Sequence, residues 1–234
     1  PWLPDCRLAQ GTGNLERLDA FRDGRVYVQD PAAHLAALAS GVEPGMQVLD
    51  ACAAPGGKSF AAAMQMRNEG SILSCDIHPH KLTLIEKGAE RLGITMLQTR
   101  LQNAAEHDPA LDGQFDAVIA DVPCSGLGVI RKKPDIRYKP LEPLARLPEL
   151  QRAILENVCR YVKPGGTLVY STCTVLRREN EAVAEAFLKE HPEFSPETIP
   201  APEGFGLEND GMLTLLPFKH DTDGFFICRM RKHS

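Results

Sequence analysis

No apolar run in this 234-residue chain approaches the roughly 18 residues needed to cross a bilayer, and its start lacks the basic-then-apolar pattern of a secretory signal. These absences predict a soluble, cytoplasmic protein. None of the seven cysteines is followed by another at the two-residue spacing of zinc knuckles and redox motifs, and seven is an odd number. Neither a disulfide framework nor a structural metal is expected, and the default for each thiol is a small buried apolar side chain. Excess basic charge is missing too. With 26 Lys and Arg against 31 Asp and Glu, the net charge is −5, which excludes broad electrostatic binding of nucleic acid by this chain alone. No internal repeat or low-complexity tract interrupts it.

What is present is ordinary globular composition, 43% hydrophobic and 24% charged, at a length suited to one sizeable core. Charge departs from the average in one place. Arg131, Lys132, Lys133, Arg137 and Lys139 face the single acid Asp135, a local balance of +4 beside Ile136 and Tyr138. A solvated loop and a phosphate-holding segment both fit that run.

Residues 1–30 show turn residues and weak alternation, and read as a leading segment or short β element. Residues 31–234 read as the main domain. A short helix over 31–40 is opened by Asp30 as N-cap with Pro31 in the first turn. The chain then alternates. Strands are expected at 46–52, 71–77, 94–100, 115–122 and 167–173, with helices at 58–68, 79–92, about 147–162 and 179–190 between and after them. Two late strand candidates, 212–218 and 224–230, have no helix between them and can pair antiparallel. This order predicts an α/β fold: a mostly parallel, doubly wound sheet with helices on both faces and an antiparallel addition near the C-terminus.

Such sheets bind ligands at the carboxyl ends of their strands. The first strand ends in DACAAPGGKS (50–59), where Gly56 and Gly57 let backbone approach a ligand closely. It is neither the dinucleotide fingerprint nor a Walker A loop, whose first glycine is here Cys52. The second strand ends in Asp76, placed either to accept both hydroxyls of a ribose or to cap the helix after it. The fourth ends in Asp121-Val122-Pro123-Cys124 and the fifth in Ser171-Thr172-Cys173. If these strands are neighbours, two thiols meet at the ligand edge, with Lys58 as a cation able to stabilise a thiolate.

The motifs DACAAPGGKS, CDIHPHKL, DVPCSGLGVIRKKPDIRY and YSTCTVLRRENE resemble, in order, those of the NOL1/NOP2/Sun family of RNA cytosine-5 methyltransferases, and the likeness runs from about Val28 to the DGFF at 223–226. The resemblance implies a Rossmann-like class I methyltransferase with a seven-stranded sheet, S-adenosylmethionine as cofactor, RNA, in particular small-subunit ribosomal RNA, as substrate, and a monomer without metal. It implies that Cys52, Ala53, Ala54, Pro55, Gly56, Gly57 and Lys58 wrap the methionine part of the cofactor and that Asp76 holds its ribose. Asp121 then lies near the methyl donor and the target base, Cys173 attacks the base, and Cys124 assists release. Where the family has an acid for adenine, this chain has Asn103. Members of the nearest type carry an additional N-terminal RNA-binding domain. The rival readings are a DNA cytosine-5 methyltransferase, against which the second thiol in the STC element weighs, and a non-catalytic ribosome-assembly factor that retains the cofactor pocket.

Overall fold

Alternating apolar residues set the two faces of one central sheet, and the central strands bury both sets. Leu168 and Tyr170 face one side and Val169 the other; Val118 and Ala120 oppose Ala117 and Ile119; Phe226, Cys228 and Met230 oppose Phe225 and Ile227. A strand buried on both faces needs helices on both. The computed structural model describes residues 3, 6–138, 140, 143–201 and 207–233.

The parallel part comprises β1 (Gln47–Asp50), β2 (Ser71–Asp76), β3 (Leu97–Leu101), β4 (Phe115–Asp121) and β5 (Val162–Thr172). Helices α1 (Asp19–Arg22), α2 (Pro31–Leu38), α3 (Gly57–Gln65) and α4 (Pro79–Leu92) precede β3 in the chain, and α5 (Leu147–Val158) and α6 (Glu181–Glu190) flank β5. The last strands are β6 (Phe194–Pro196), β7 (Met212–Leu215) and β8 (Phe225–Lys232), with the one-turn α7 (Pro217–His220) before β8. Sheet order is β3-β2-β1-β4-β5-β8-β6, with β7 also paired to β8. β8 runs antiparallel to β5, while β6 and β7 pair with β8 near its two ends. The seven expected strand positions are therefore filled by eight strands, the outermost position being shared.

Helices α2 and α3 cover one face through Leu35, Ala36, Ala62, Ala63 and Met66; α5 and α6 cover the other through Ile154, Leu155, Val158, Val183 and Phe187. The sheet reverses winding between β1 and β4, which opens the crevice at their carboxyl ends. Two local expectations change. The leading segment contains no strand among its described residues. It forms a 3₁₀ turn at Leu15–Arg17 and α1 instead, because the Asn14 side chain accepts from Glu16 N, and Arg91 of α4 donates to the carbonyls of Phe21 and Val26. A helix, α7, does separate the last two strand candidates, since Pro217 supplies a helical first turn.

Candidate functional site

The strand ends converge on one edge. β1 ends in Asp50, which is fully enclosed; Ser59 donates to its Oδ2 at 2.7 Å and Ser59 in turn meets the Ser74 hydroxyl at 2.8 Å. Burial pushes the Asp50 carboxyl up to about 6, and its Oδ1 is buried with no partner among the described residues. From Asp50 the chain turns through a cis Ala54–Pro55 bond into Gly56, which caps α3 at φ +108°, a left-handed conformation favourable only for glycine. A side-chain carbon on Gly56 would stand 2.4 Å from the Phe60 ring. At Gly57 the space for such a carbon is bounded by the Tyr27 hydroxyl at 3.0 Å and the Gln29 amide nitrogen at 3.2 Å, so polar atoms of the leading segment close over this loop.

Asp76 is buried at the end of β2. Its Oδ1 accepts from His78 N at 2.9 Å, and its Oδ2 accepts nothing from the described residues. One oxygen orders the turn ahead of α4 without capping that helix, whose N-cap His78 makes no side-chain cap bond, and the other is left open. Asn103, two residues beyond β3, turns onto its own loop: its Oδ1 accepts from Ala105 N at 3.1 Å and its Nδ2 donates to Glu106 at 2.9 Å.

Between these elements and the thiols lies a buried ion pair. Lys58 Nζ donates to Asp121 Oδ2 at 2.6 Å and sits 5.2 Å from the centre of the Phe225 ring. Ser171 donates to the other Asp121 oxygen at 2.8 Å, because β4 and β5 are in register at Asp121 and Ser171. Burial works against the Lys58 charge, yet the adjacent Asp121 carboxylate outweighs it and raises the Lys58 pKa, so this lysine stays a cation.

That register brings Cys124 and Cys173 together, with Sγ–Sγ 3.2 Å. Their ionisations diverge. Either sulfur can donate in this contact; with Cys124 as donor, the accepted hydrogen lowers the Cys173 pKa against burial and the Asp121 carboxylate, and Lys58 assists. The Cys124 pKa is raised because it is the donor and because it is buried. Burial also raises Cys52, with nearby carboxylates adding, and pushes Cys75 to about 12 and Cys159 to about 11. Of these five thiols Cys173 alone is moved toward the thiolate.

Gly128 fixes the approach of the loop after Cys124. Its N–H donates to Cys173 O at 3.0 Å, its carbonyl accepts from Gly224 N at 2.8 Å, and a side chain there would stand 1.9 Å from Gly224 O. The basic run follows at once. Lys132 Nζ lies 2.6 Å from Asp30 Oδ2 and 2.8 Å from Asp223 Oδ2, both carboxylates nearly buried. It ties the N-cap of α2 to the start of β8, a structural use of a residue expected at phosphates. Arg131 pairs with the exposed Asp221 at 3.2 Å, while Lys133, Arg137 and Tyr138 face solvent. Lys139 lies outside the described residues. We expect Lys132→Met to cost roughly 2 kcal/mol, less than a wholly buried pair would because the amine is half exposed, and to lower Tm by several degrees. Lys133→Ala should leave Tm unchanged, which thermal unfolding of the two variants checks.

The sequence model of the family described as 16S rRNA methyltransferase RsmB/F matches residues 37–231. The chain belongs to that family. A Bacillus subtilis relative, named probable ribosomal RNA small subunit methyltransferase B, is 46% identical over 94% of this chain and 51% of its own length. The chain thus spans about half the length of the curated RsmB-type relatives it matches. The crystal structure of NSun6 from Pyrococcus horikoshii with SFG superimposes with a TM-score of 0.81 at 28% identity, covering 94% of this chain and 56% of that one. A second Pyrococcus horikoshii structure, described as a methyltransferase homolog protein, gives a TM-score of 0.77 at 32% identity over 93% of this chain and 72% of its own.

Membership makes the fold that of the class I, S-adenosylmethionine-dependent methyltransferases. The RsmB/F chain's own residues fit that cofactor: the glycine turn at 56–57, the open Asp76 oxygen and the unpartnered Asp50 Oδ1 lie around the strand ends. No helix among the described residues is long and apolar enough to cross a membrane, and no group of metal-binding side chains occurs among them. Sequence reasoning missed Ser171, Phe225, Gln151, Glu179 and Asn180. Strand register would have found Ser171, the partner of Asp121.

Proposed function

We propose that this chain is the catalytic domain of an enzyme that methylates carbon 5 of a cytosine in small-subunit ribosomal RNA through a covalent cysteine adduct. The carrying observation is the contact of Cys124 with Cys173 beside the Lys58–Asp121 pair. Carbon 5 of cytosine is too poor a nucleophile to take a methyl group unaided. Attack of the Cys173 thiolate on carbon 6 breaks the 5,6 double bond and places electron density on carbon 5. S-adenosylmethionine supplies the electrophilic methyl group. Solvent takes the carbon 5 proton, the electron pair left behind re-forms the 5,6 double bond as the carbon 6–sulfur bond breaks, and Cys124, in contact with the departing sulfur, assists that release by donating its proton to it. Asp121, held by Lys58 and Ser171, faces ring nitrogen 3 and stabilises the adduct.

In this reading Cys52 to Lys58 hold the methionine part of the cofactor, Asp76 its ribose, and the Asn103 loop its adenine. Residues 31–234 form the methyltransferase domain, onto which the leading segment folds. Arg131, Lys133, Arg137 and Lys139 carry the phosphate contacts, with Lys132 positioning the loop. A reacting base must be unpaired or flipped, so the target is an accessible nucleotide. With a net charge of −5, the chain alone should bind RNA weakly and with strong salt dependence, an additional RNA-binding domain supplying the remaining affinity.

Transfer of labelled methyl groups to ribosomal RNA, with nucleoside mass spectrometry of the product, tests the assignment: 5-methylcytidine is expected. A methylated exocyclic amine or a DNA-only product would contradict it. For the cofactor, Asp76→Ala should weaken binding about tenfold or more in calorimetry, the loss of charge-assisted hydrogen bonds to the ribose, while the fold remains intact.

A further inference from the structure

Two consecutive residues, Glu179, with Gln151 as its partner, and Asn180, reach the chain on both sides of both thiols. Each is buried. Glu179 Oε2 accepts from Ser125 N at 2.8 Å, immediately after Cys124, and from Gln151 Nε2 at 3.1 Å; the same Gln151 nitrogen donates to Pro123 O at 3.0 Å, immediately before it. Asn180 Oδ1 accepts from the Thr172 hydroxyl at 2.6 Å and its Nδ2 donates to Thr174 O at 3.0 Å, the two neighbours of Cys173. A Ser125–Thr174 hydroxyl contact of 2.8 Å joins the two loops directly, and the Tyr170 hydroxyl donates to the Glu179 carbonyl.

This arrangement is costly for stability. Glu179 Oε1 and Gln151 Oε1 are buried without partners among the described residues, and an unsatisfied buried polar atom opposes folding. An apolar pair would remove those two unpaired oxygens but leave Ser125 N–H and Pro123 O without these partners. What the polar pair provides is direction: it fixes the peptide groups on either side of one cysteine while its neighbour fixes those of the other.

We propose that Glu179, with Gln151, and Asn180 are positioning residues that set the separation of the two thiols, Glu179 governing the Cys124 side and Asn180 the Cys173 side. None of the three is given a part in bond making. The division of labour between the thiols rests on the function proposed above; their separation does not.

The first arm of the test therefore uses neither RNA nor cofactor. Diamide, an azo oxidant, takes two electrons and two protons from a pair of thiols, which become a disulfide as the azo bond is reduced to a hydrazine. Closure of the Cys124–Cys173 disulfide, followed by peptide mass mapping, reports how the thiols are held. Glu179→Ala and Asn180→Ala should slow closure on the order of tenfold, given how steeply positioned reactions fall with a displacement of about 1 Å. Glu179→Gln, which keeps an acceptor oxygen, should recover most of the rate. Gln151→Leu, which removes only the Pro123 tether and its link to Glu179, should slow closure partially and serves if Glu179→Ala does not fold. In the second arm, with RNA and S-adenosylmethionine, Glu179→Ala and Gln151→Leu should accumulate covalent protein–RNA complex. Asn180→Ala should lower turnover without accumulation and move the pH–rate profile upward.

Wild-type closure rates and adduct levels in folded variants, with only Tm lowered, would overturn the positioning role. A wild-type protein that transfers no methyl group would instead overturn the proposed function, leaving the diamide arm to decide this inference.

Discussion

Cys124→Ala should trap a covalent protein–RNA complex that survives denaturing gels when S-adenosylmethionine is supplied, whereas Cys173→Ala should give neither complex nor product. Without addition at carbon 6 the ring carbon never becomes nucleophilic, so losing Cys173 removes the reaction itself. Without Cys124 addition and methylation still proceed, and the step that fails is breakage of the carbon–sulfur bond. The direction rests on Lys58, whose charge favours a thiolate at Cys173, and on the family resemblance, since either sulfur can donate in the 3.2 Å contact. The reverse gel pattern would transfer the nucleophile to the Pro123–Cys124 element. Full activity in both variants would return both thiols to ordinary buried residues.

The second large effect is expected at Lys58. Lys58→Met removes the cation from both Asp121 and Cys173, leaving a carboxylate beside a thiol that must ionise. Turnover at neutral pH should fall on the order of a hundredfold or more, the scale associated with a lost preorganised charge partner. The pH dependence gives the sign. The thiolate is the reactive form, so the rate rises as pH passes upward through the Cys173 pKa, and a lowered pKa brings that rise to lower pH. In Lys58→Met the rise should move to higher pH, with part of the lost rate recovered in alkaline buffer. A reduced rate with an unshifted profile would confine Lys58 to packing or cofactor binding.

Four of the five parallel strands were legible because each is an apolar run ending in a residue with chemistry at the ligand edge: Asp50, Asp76, Asp121 and, just past β5, Cys173; β3, Leu97–Leu101, carries no such run. α2 and α4 were equally plain, with Asp30 capping one by accepting from Ala32 N and Gly93 terminating the other in a left-handed conformation. β6 was not legible. Three residues after a His-Pro stop carry no periodicity, and they become a strand only because β8 offers an unpaired edge. The helical leading segment was missed for a related reason, since its turns are held by Arg91 from α4 rather than by their own pattern.

At the site, spacing exposed the groups that end strands but not the groups that hold them. Lys132 read as one of five cations in a basic run; its partners Asp30 and Asp223 are 102 and 91 residues away in the chain. Glu179 and Asn180 stood in plain view within YSTCTVLRRENE, yet nothing local to that segment shows that they reach Ser125, Thr172 and Thr174. Sequence shows which chemistry a strand end carries. Only the packed fold shows which buried polar residues aim it.

The reaction turns on a bond between Cys173 and carbon 6 of a cytosine in RNA, and that bond can be trapped. RNA carrying 5-fluorocytosine can undergo thiolate addition and methylation, but fluorine replaces the proton whose loss must precede release, so the adduct persists. Digestion and mass mapping of the trapped complex should place one methylated fluorocytidine on Cys173. A modified nucleotide on Cys124, or methyl transfer to ordinary RNA with no adduct formed on the fluorinated one, would rule out Cys173 as the attacking thiol.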